Sequence, residues 1–312
     1  GGWQVSLRIL NYGGGRQGTA CLVLAAQGKL LASDDQPYKT FIMAHVGDDS
    51  ENPATLAYLE EVARPFAAAH GLDLITVRKT RRWRNAAGRA LRNTDGSYIQ
   101  TEHTIYSEVM DWESRSHVIP FRLTGKSDEE IEVVLDDEFY GAADHGDPAA
   151  IDELRLIIEG EISSRSKTSK GKPGNRKCTN DWKVSVIKRW IKAMGATAAD
   201  PCISGIGISL DEASRMRNDS GVEFQELDYP LVRMRLRVED CLDIIADAGL
   251  PQPPRSSCFF CPFHRVSEWA RLRLQEPEQF WKSVAMERRM NQKMTAIGRR
   301  PVWFLDALVP LD

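Results

Sequence analysis

Two short stretches of the chain carry the residue types and spacing that chemistry needs. Asn11-Tyr12-Gly13-Gly14-Gly15-Arg16-Gln17-Gly18-Thr19 follows an apolar run and leads into a helical pattern, Ala20 to Gln27. Three consecutive glycines at such a turn let backbone N–H groups approach a phosphate with no Cβ in the way, and the dipole of the following helix favours negative charge. No Gly-Lys-Ser/Thr follows, so the turn is not a Walker phosphate loop, and its glycines lack the spacing of a dinucleotide fingerprint. By residue type alone, a phosphate cradle and a plain tight turn both fit. The second stretch is Cys258-Phe259-Phe260-Cys261-Pro262-Phe263-His264. Two thiolates separated by two residues can grip one ion or cluster, but they supply only part of its ligand set. Cys21 and Cys202 fall in apolar segments and read as core.

The elements that position these residues follow from periodicity. Val5 to Leu10, Phe41 to Val46 and Leu72 to Val77 read as buried strands, and Pro53 to His70 as an amphipathic helix stopped by Gly71. Strands alternating with helices predict an α/β fold: a parallel sheet flanked by helices, with ligands at the carboxyl ends of the strands. The pattern loosens after Arg78, and residues 84–174 read as an insertion. Arg78-Lys79-Thr80-Arg81-Arg82-Trp83-Arg84 is basic with one aromatic, and is expected to be a solvated stretch with Trp83 packed inward, the alternative being a surface that stacks a base. Order resumes with a helix over Asp181 to Met194 and a strand over Ile203 to Ser209, where Ser209 is placed to cap the next helix. Beyond Tyr229-Pro230 the chain is mostly helical. The expected division is a nucleotide-binding α/β domain over 3–235 and a helical region over 236–312.

Composition narrows the class. Hydrophobic residues make up 42% and charged residues 27%, with a net charge of −3, which suits a globular enzyme and excludes a disordered chain or a polycation. No apolar run reaches the roughly 18–20 residues a membrane helix needs, so the expected setting is cytoplasmic. In that setting six cysteines read as thiols or metal ligands rather than a disulfide framework. Charge is unevenly spread: seven acids lie between Asp128 and Glu138, while Arg165, Lys167, Lys170, Lys172, Arg176 and Lys177 form a basic run, either a solvated loop or a lid over phosphates.

Taken together, the motifs resemble the PP-loop ATP pyrophosphatases of the adenine nucleotide α-hydrolase superfamily, in particular the branch similar to phosphoadenosine-phosphosulfate reductases. The family loop Ser-Gly-Gly-x-Asp-Ser-Thr lies on Gly13 to Thr19, with Gly13, Gln17 and Gly18 in place of the family Ser, Asp and Ser. His45-Val46-Gly47-Asp48-Asp49, followed by Pro53 and Thr55, is similar to the family's Asp-Thr-Gly-x-Glu segment. Cys178-Thr179-Asn180-Asp181-Trp182-Lys183 resembles its Cys-Thr-x-x-Lys signature, and Gly205 to Arg215 its Gly-Ile-x-x-x-Glu-x-x-Arg segment.

The resemblance implies an adenine nucleotide held by Tyr12, Gly13, Gly14, Gly15, Arg16, Gln17, Gly18, Thr19, His45, Gly47 and Gly207. Arg16, Lys183 and Arg215 would neutralise charge, and Mg2+ would bridge phosphate oxygens of ATP. The implied activity is α-phosphate chemistry, with a nucleic acid or protein as acceptor and sulfur transfer as one outcome, in a mobile-element or defence context. The family segments also place Cys178 and Cys241 near the site, which with Cys258 and Cys261 gives a four-thiolate set for a [4Fe–4S] cluster, with Zn2+ or no metal as the alternatives. A sulfonucleotide reductase is the nearest rival, but the chain has no cysteine after Cys261 and Cys178-Thr179 where cluster-bearing reductases show adjacent cysteines. A catalytically degenerate accessory subunit is the other alternative, motivated by Gln17 and Gly18.

Overall fold

Ile9 and Leu10 are neighbours on one strand and lie in two different apolar clusters. Successive side chains leave opposite faces of a strand, so the sheet they belong to must be covered on both sides. The computed structural model describes residues 7–111, 122–123, 172–173, 177–296, 298, 301–305 and 310–312. The acidic run Asp128 to Glu138, the basic residues Arg165, Lys167, Lys170 and Arg176, and most of the expected insertion lie outside the described residues.

The chain opens in strand and helix alternation: β1 (Arg8–Asn11), α1 (Arg16–Ala26), β2 (Thr40–His45), α2 (Pro53–Tyr58), a π-helical turn (Leu59–Ala63), α3 (Arg64–Ala69) and β3 (Asp73–Arg78). A small ribbon of β4 (Thr80–Arg82) and β5 (Gln100–Glu102) follows, then α4 (Ile105–Met110), β6 (Arg122–Leu123) and β7 (Lys172–Pro173). A second π-helical turn (Thr179–Val184) runs into α5 (Ser185–Ala193), then β8 (Cys202–Ile206), a 3-10 turn (Leu210–Arg215), β9 (Gln225–Asp228), α6 (Pro230–Arg233), α7 (Val238–Asp247), α8 (Val266–Gln275), α9 (Pro277–Ala296) and β10 (Val302–Trp303).

Five parallel strands form the main sheet in the order β3-β2-β1-β8-β9. Leu10, Leu22, Phe41, Leu59, Leu231 and Ile245 share one apolar cluster, bringing α1, α6 and α7 to one face. Ile9, Ile42, Ala44, Ile187, Ile191 and Cys202 share the other, beneath α5. The α/β architecture with a helix-flanked parallel sheet is therefore present. The helix expected over Pro53 to His70 is present as one continuous helical run through Ala69, widened by a π-helical turn just ahead of Pro65, whose missing N–H cannot bond back into the preceding turn. Ser209 occupies the N-cap position but makes no side-chain cap hydrogen bond.

The compact units fall differently from the expected domains. One comprises Gly1–Thr104 with Thr179–Ser257, the other Ile105–Cys178 with Cys258–Asp312. The helical region expected to start at 236 gives up α7 to the first unit, because Cys241 and Ile245 of that helix sit in the same apolar cluster as α1. In the second unit α8 packs on α9, and β10, β6 and β7 form a short antiparallel sheet.

One close packing contact in the first unit is decisive. Tyr38 donates to Asp228 at 2.6 Å, and Asp228 is also gripped by Arg233 at 2.9 Å, so the Tyr38 ring cannot move away from β8. A Cβ on Gly205 would sit 2.9 Å from Cζ and Oη of that ring. Gly205→Ala should lower stability by roughly 1–3 kcal/mol, read from the urea midpoint. In the second unit, the buried Glu287 carboxylate accepts from Phe304 N–H at 2.6 Å and Leu311 N–H at 2.9 Å. Burial pushes it up to about 7 from its ordinary 4.5. The folded chain therefore holds this proton more tightly than the unfolded chain. The resulting stabilisation is full below about pH 4.5 and lost as pH rises through about 7. Glu287→Gln should flatten that part of the melting temperature's pH dependence.

Candidate functional site

The strand order reverses between β1 and β8, which makes the crevice outside their carboxyl ends the expected ligand position of an open α/β sheet. The glycine turn lies there. Gly14 has φ +72°, a left-handed conformation that favours glycine, and a Cβ on it would meet Thr55 Cγ2 at 2.7 Å. Gly15 is the N-cap of α1 and, among the described residues, no side chain caps that helix start. The first N–H groups of an α-helix have no intrahelical acceptor, and Gly15 has no side chain to supply one, the arrangement that binds anions elsewhere. Gly13 is the most open position: a Cβ there would meet nothing within 4 Å among the described residues. On the other wall, a Cβ on Gly207 would lie 3.5 Å from the backbone of Gln17 and Gly18, so the end of β8 abuts the start of α1.

Several expected ligand groups are engaged internally. Tyr12 and Thr19 are both buried and share a hydrogen bond between their hydroxyls at 3.2 Å, so Thr19 braces the helix from inside and does not offer its hydroxyl to a phosphate. Gln17 donates to Glu212 at 3.1 Å, and Glu212 in turn pairs with Arg215 at 2.7 Å. Arg16 faces the Gln252 amide, whose oxygen in its accepting orientation lies 3.0 Å from the guanidinium. His45 is buried, accepts at Nδ1 from Gly47 N–H at 3.1 Å and holds Nε2 3.4 Å from Asp48. Burial first, and then the Arg78 charge, hold His45 below its ordinary 6.5, which keeps the ring neutral at pH 7. Gly47 has φ +123°, and a Cβ would strike Thr104 Cγ2 at 2.4 Å, which is a packing reason for glycine there.

Glu51, Thr55 and Ser256 complete the site, and of these the sequence pointed only to Thr55. Glu51, on the loop after β2, is 1% exposed, and neither of its oxygens accepts a hydrogen bond among the described residues. Lys183 Nζ lies 3.9 Å from Glu51 Oε1. One helical turn on, Thr55 Oγ1 is likewise buried without a partner, and its methyl group touches the glycine turn. Ser256 donates its hydroxyl to the Gly13 carbonyl, and a Cβ on Gly15 would lie 3.3 Å from Ser256 Cβ. Glu51 is signalled only by standing two residues before a helix-starting Pro53. Gln252 and Ser256 have no local signal, because Pro251 to Pro254 reads as a breaker and the contact spans more than two hundred residues.

The cysteines do not assemble as expected. Cys241 is fully buried in the apolar cluster that also holds Cys21, and burial pushes its thiol up to about 12. A thiol so desolvated is a packing group and a poor source of thiolate. Cys178, Cys258 and Cys261 belong to the second unit and are partly exposed, and Cys261 N–H closes a turn on Cys258 O at 3.1 Å. Among the described residues no group of three or more Cys, His, Asp or Glu side chains is arranged to hold a metal ion. The four-thiolate set therefore does not fit a [4Fe–4S] cluster or Zn2+ through Cys241. Comparisons with protein families, with curated proteins and with solved structures found no match to the chain.

The turn yields a sharp contrast. Gly13→Val has room and an ordinary backbone, so it should keep the fold and remove anion binding at the helix start. Gly14→Ala should itself cost roughly 1–2 kcal/mol for the left-handed backbone, before the collision with Thr55 is added. Melting and nucleotide titration of the two variants side by side check both statements.

Proposed function

We propose that the first unit binds an adenine nucleotide with its phosphates against Gly13 to Gly15, and that the protein acts at the α-phosphate of ATP or a related nucleotide. The reaction is adenylation of an acceptor with release of pyrophosphate, or hydrolysis at that phosphate. The observation that carries this reading is the bare-backbone turn feeding an uncapped helix at the strand-order reversal. The buried, unbonded oxygens of Glu51 add to it, since such a carboxylate calls for donors, and ligand hydroxyl or amino groups supply them. In this reading Lys183, held near Glu51, approaches the phosphates, and Mg2+ arriving with the nucleotide would offset their charge. Arg16 and Arg215 act only after leaving Gln252 and Glu212. Cys258 and Cys261 share one tight turn, and no step of the reaction runs through them.

A second reading, binding without turnover, is favoured by one observation: Arg16, Gln17 and Arg215 are all held by other side chains at the crevice. Pyrophosphate and AMP release from ATP with Mg2+ separates the two. The enzymatic reading expects release that disappears in Gly13→Val and falls roughly 10- to 150-fold in Lys183→Ala, the loss of one charge-assisted contact. Saturable binding with no product would support the second reading, and absence of nucleotide binding would remove both.

A further inference from the structure

The ribbon that grows from the carboxyl end of β3 is built unlike the rest of the first unit. Trp83 N–H donates to Ile99 O at 2.9 Å, Leu91 N–H to Trp83 O at 2.9 Å and Ile99 N–H to Leu91 O at 3.0 Å, so the segment around Leu91 closes between β4 and β5. Tight turns at Asn85 to Gly88 and Asn93 to Gly96 link the three segments. Strand alternation sorts the side chains. Arg82 and Arg92 place their guanidiniums 3.9 Å from the Tyr98 ring centroid, on the face that also carries Arg84. The opposite face carries Trp83, Leu91 and Ile99. Trp83 does not pack inward as the sequence suggested: it is 52% exposed, and Leu91 beside it is 37% exposed.

The charge on this ribbon is almost all of one sign. Residues 79–101 contain six basic side chains and a single acid, Asp95, in a chain whose net charge is −3. Asp95 is taken up by the Ser97 backbone and hydroxyl of its own turn. Arg84 and Arg92 donate to the carbonyls of Gly88 and Gly96, neutral partners that leave the positive charge uncompensated. An exposed indole amid arginines that also stack on a tyrosine matches what a single-stranded nucleic acid requires: cations along the phosphates and π-faces for its bases. A duplex offers no unstacked base to Trp83, whereas a single strand does.

We infer that this ribbon is a binding surface for single-stranded nucleic acid. It projects from the sheet edge that also carries the glycine turn, and the inference stands independently of the nucleotide chemistry proposed above.

The test uses the full chain and fluorescence anisotropy of labelled thymidine and uridine oligomers of about 20 nucleotides, titrated at several salt concentrations. Saturable binding that weakens steeply with salt is expected. Trp83→Ala should weaken it about fivefold or more through lost stacking. The triple variant Arg82→Gln, Arg84→Gln, Arg92→Gln should reduce the slope of log K against log salt by about 2, at roughly 0.7 per phosphate contact. Glutamine keeps a donor for the Gly88 and Gly96 carbonyls, so melting temperature should stay close to the parent's and ATP binding should be unchanged, which separates failure here from failure of the nucleotide site. Absence of binding at low salt, or binding that both variants leave unchanged, would overturn the inference. So would self-association insensitive to salt and abolished by Trp83→Ala, which would mark the ribbon as a protein-docking face.

Discussion

The first unit depends on bare backbone where β1, β8 and α1 meet. Gly14 turns the chain through a left-handed residue against Thr55, and Gly205 lets the Tyr38 ring lie on β8. A side chain at Gly14 or Gly205 would push apart elements that other contacts hold fixed, because Tyr38 is anchored by Asp228 and Thr55 sits on a helix capped by Asn52. The consequence of that packing is a helix start with no capping side chain on its N-cap residue, at the place where a parallel sheet reverses its strand order. An anion is the natural complement to such a helix start.

Much of this was legible in the chain. Apolar periodicity set by Ile9, Leu10, Phe41 and Ile42 reveals β1 and β2, and the glycine run between strand and helix reveals the turn. What periodicity cannot give is which partner a polar side chain finds across the fold. Tyr12 and Thr19 look like loop residues able to face a ligand, yet the first turn of α1 rotates Thr19 into the core, where it meets Tyr12. Cys241 carried its own warning, since Cys241 and Ile245 stand four apart on the apolar stripe of α7 and are both buried. The π-helical turn before Pro65 and the three-segment ribbon arise from hydrogen-bond register, to which composition is blind.

Charge is arranged in two distinct ways within the same unit. Around the crevice, cations are partnered: Arg215 with Glu212, Arg16 with Gln252, Lys183 beside Glu51. Such pairing holds side chains in place, and a multiply charged ligand can outcompete it. On the ribbon, arginines are spread over exposed backbone and aromatic rings, where their charge reaches solvent. The first arrangement suits selective capture of a small anion, the second a long polyanion read by charge and stacking.

The central claim is that the uncapped start of α1 receives the phosphates of a nucleotide. Amide hydrogen exchange with and without ATP and Mg2+ tests it most directly, because it reports on the backbone donors themselves. The account predicts new protection concentrated in peptides covering residues 13–19, with a weaker effect over 207–209. Nucleotide binding that protects other segments and leaves residues 13–19 exchanging at their original rate would contradict it.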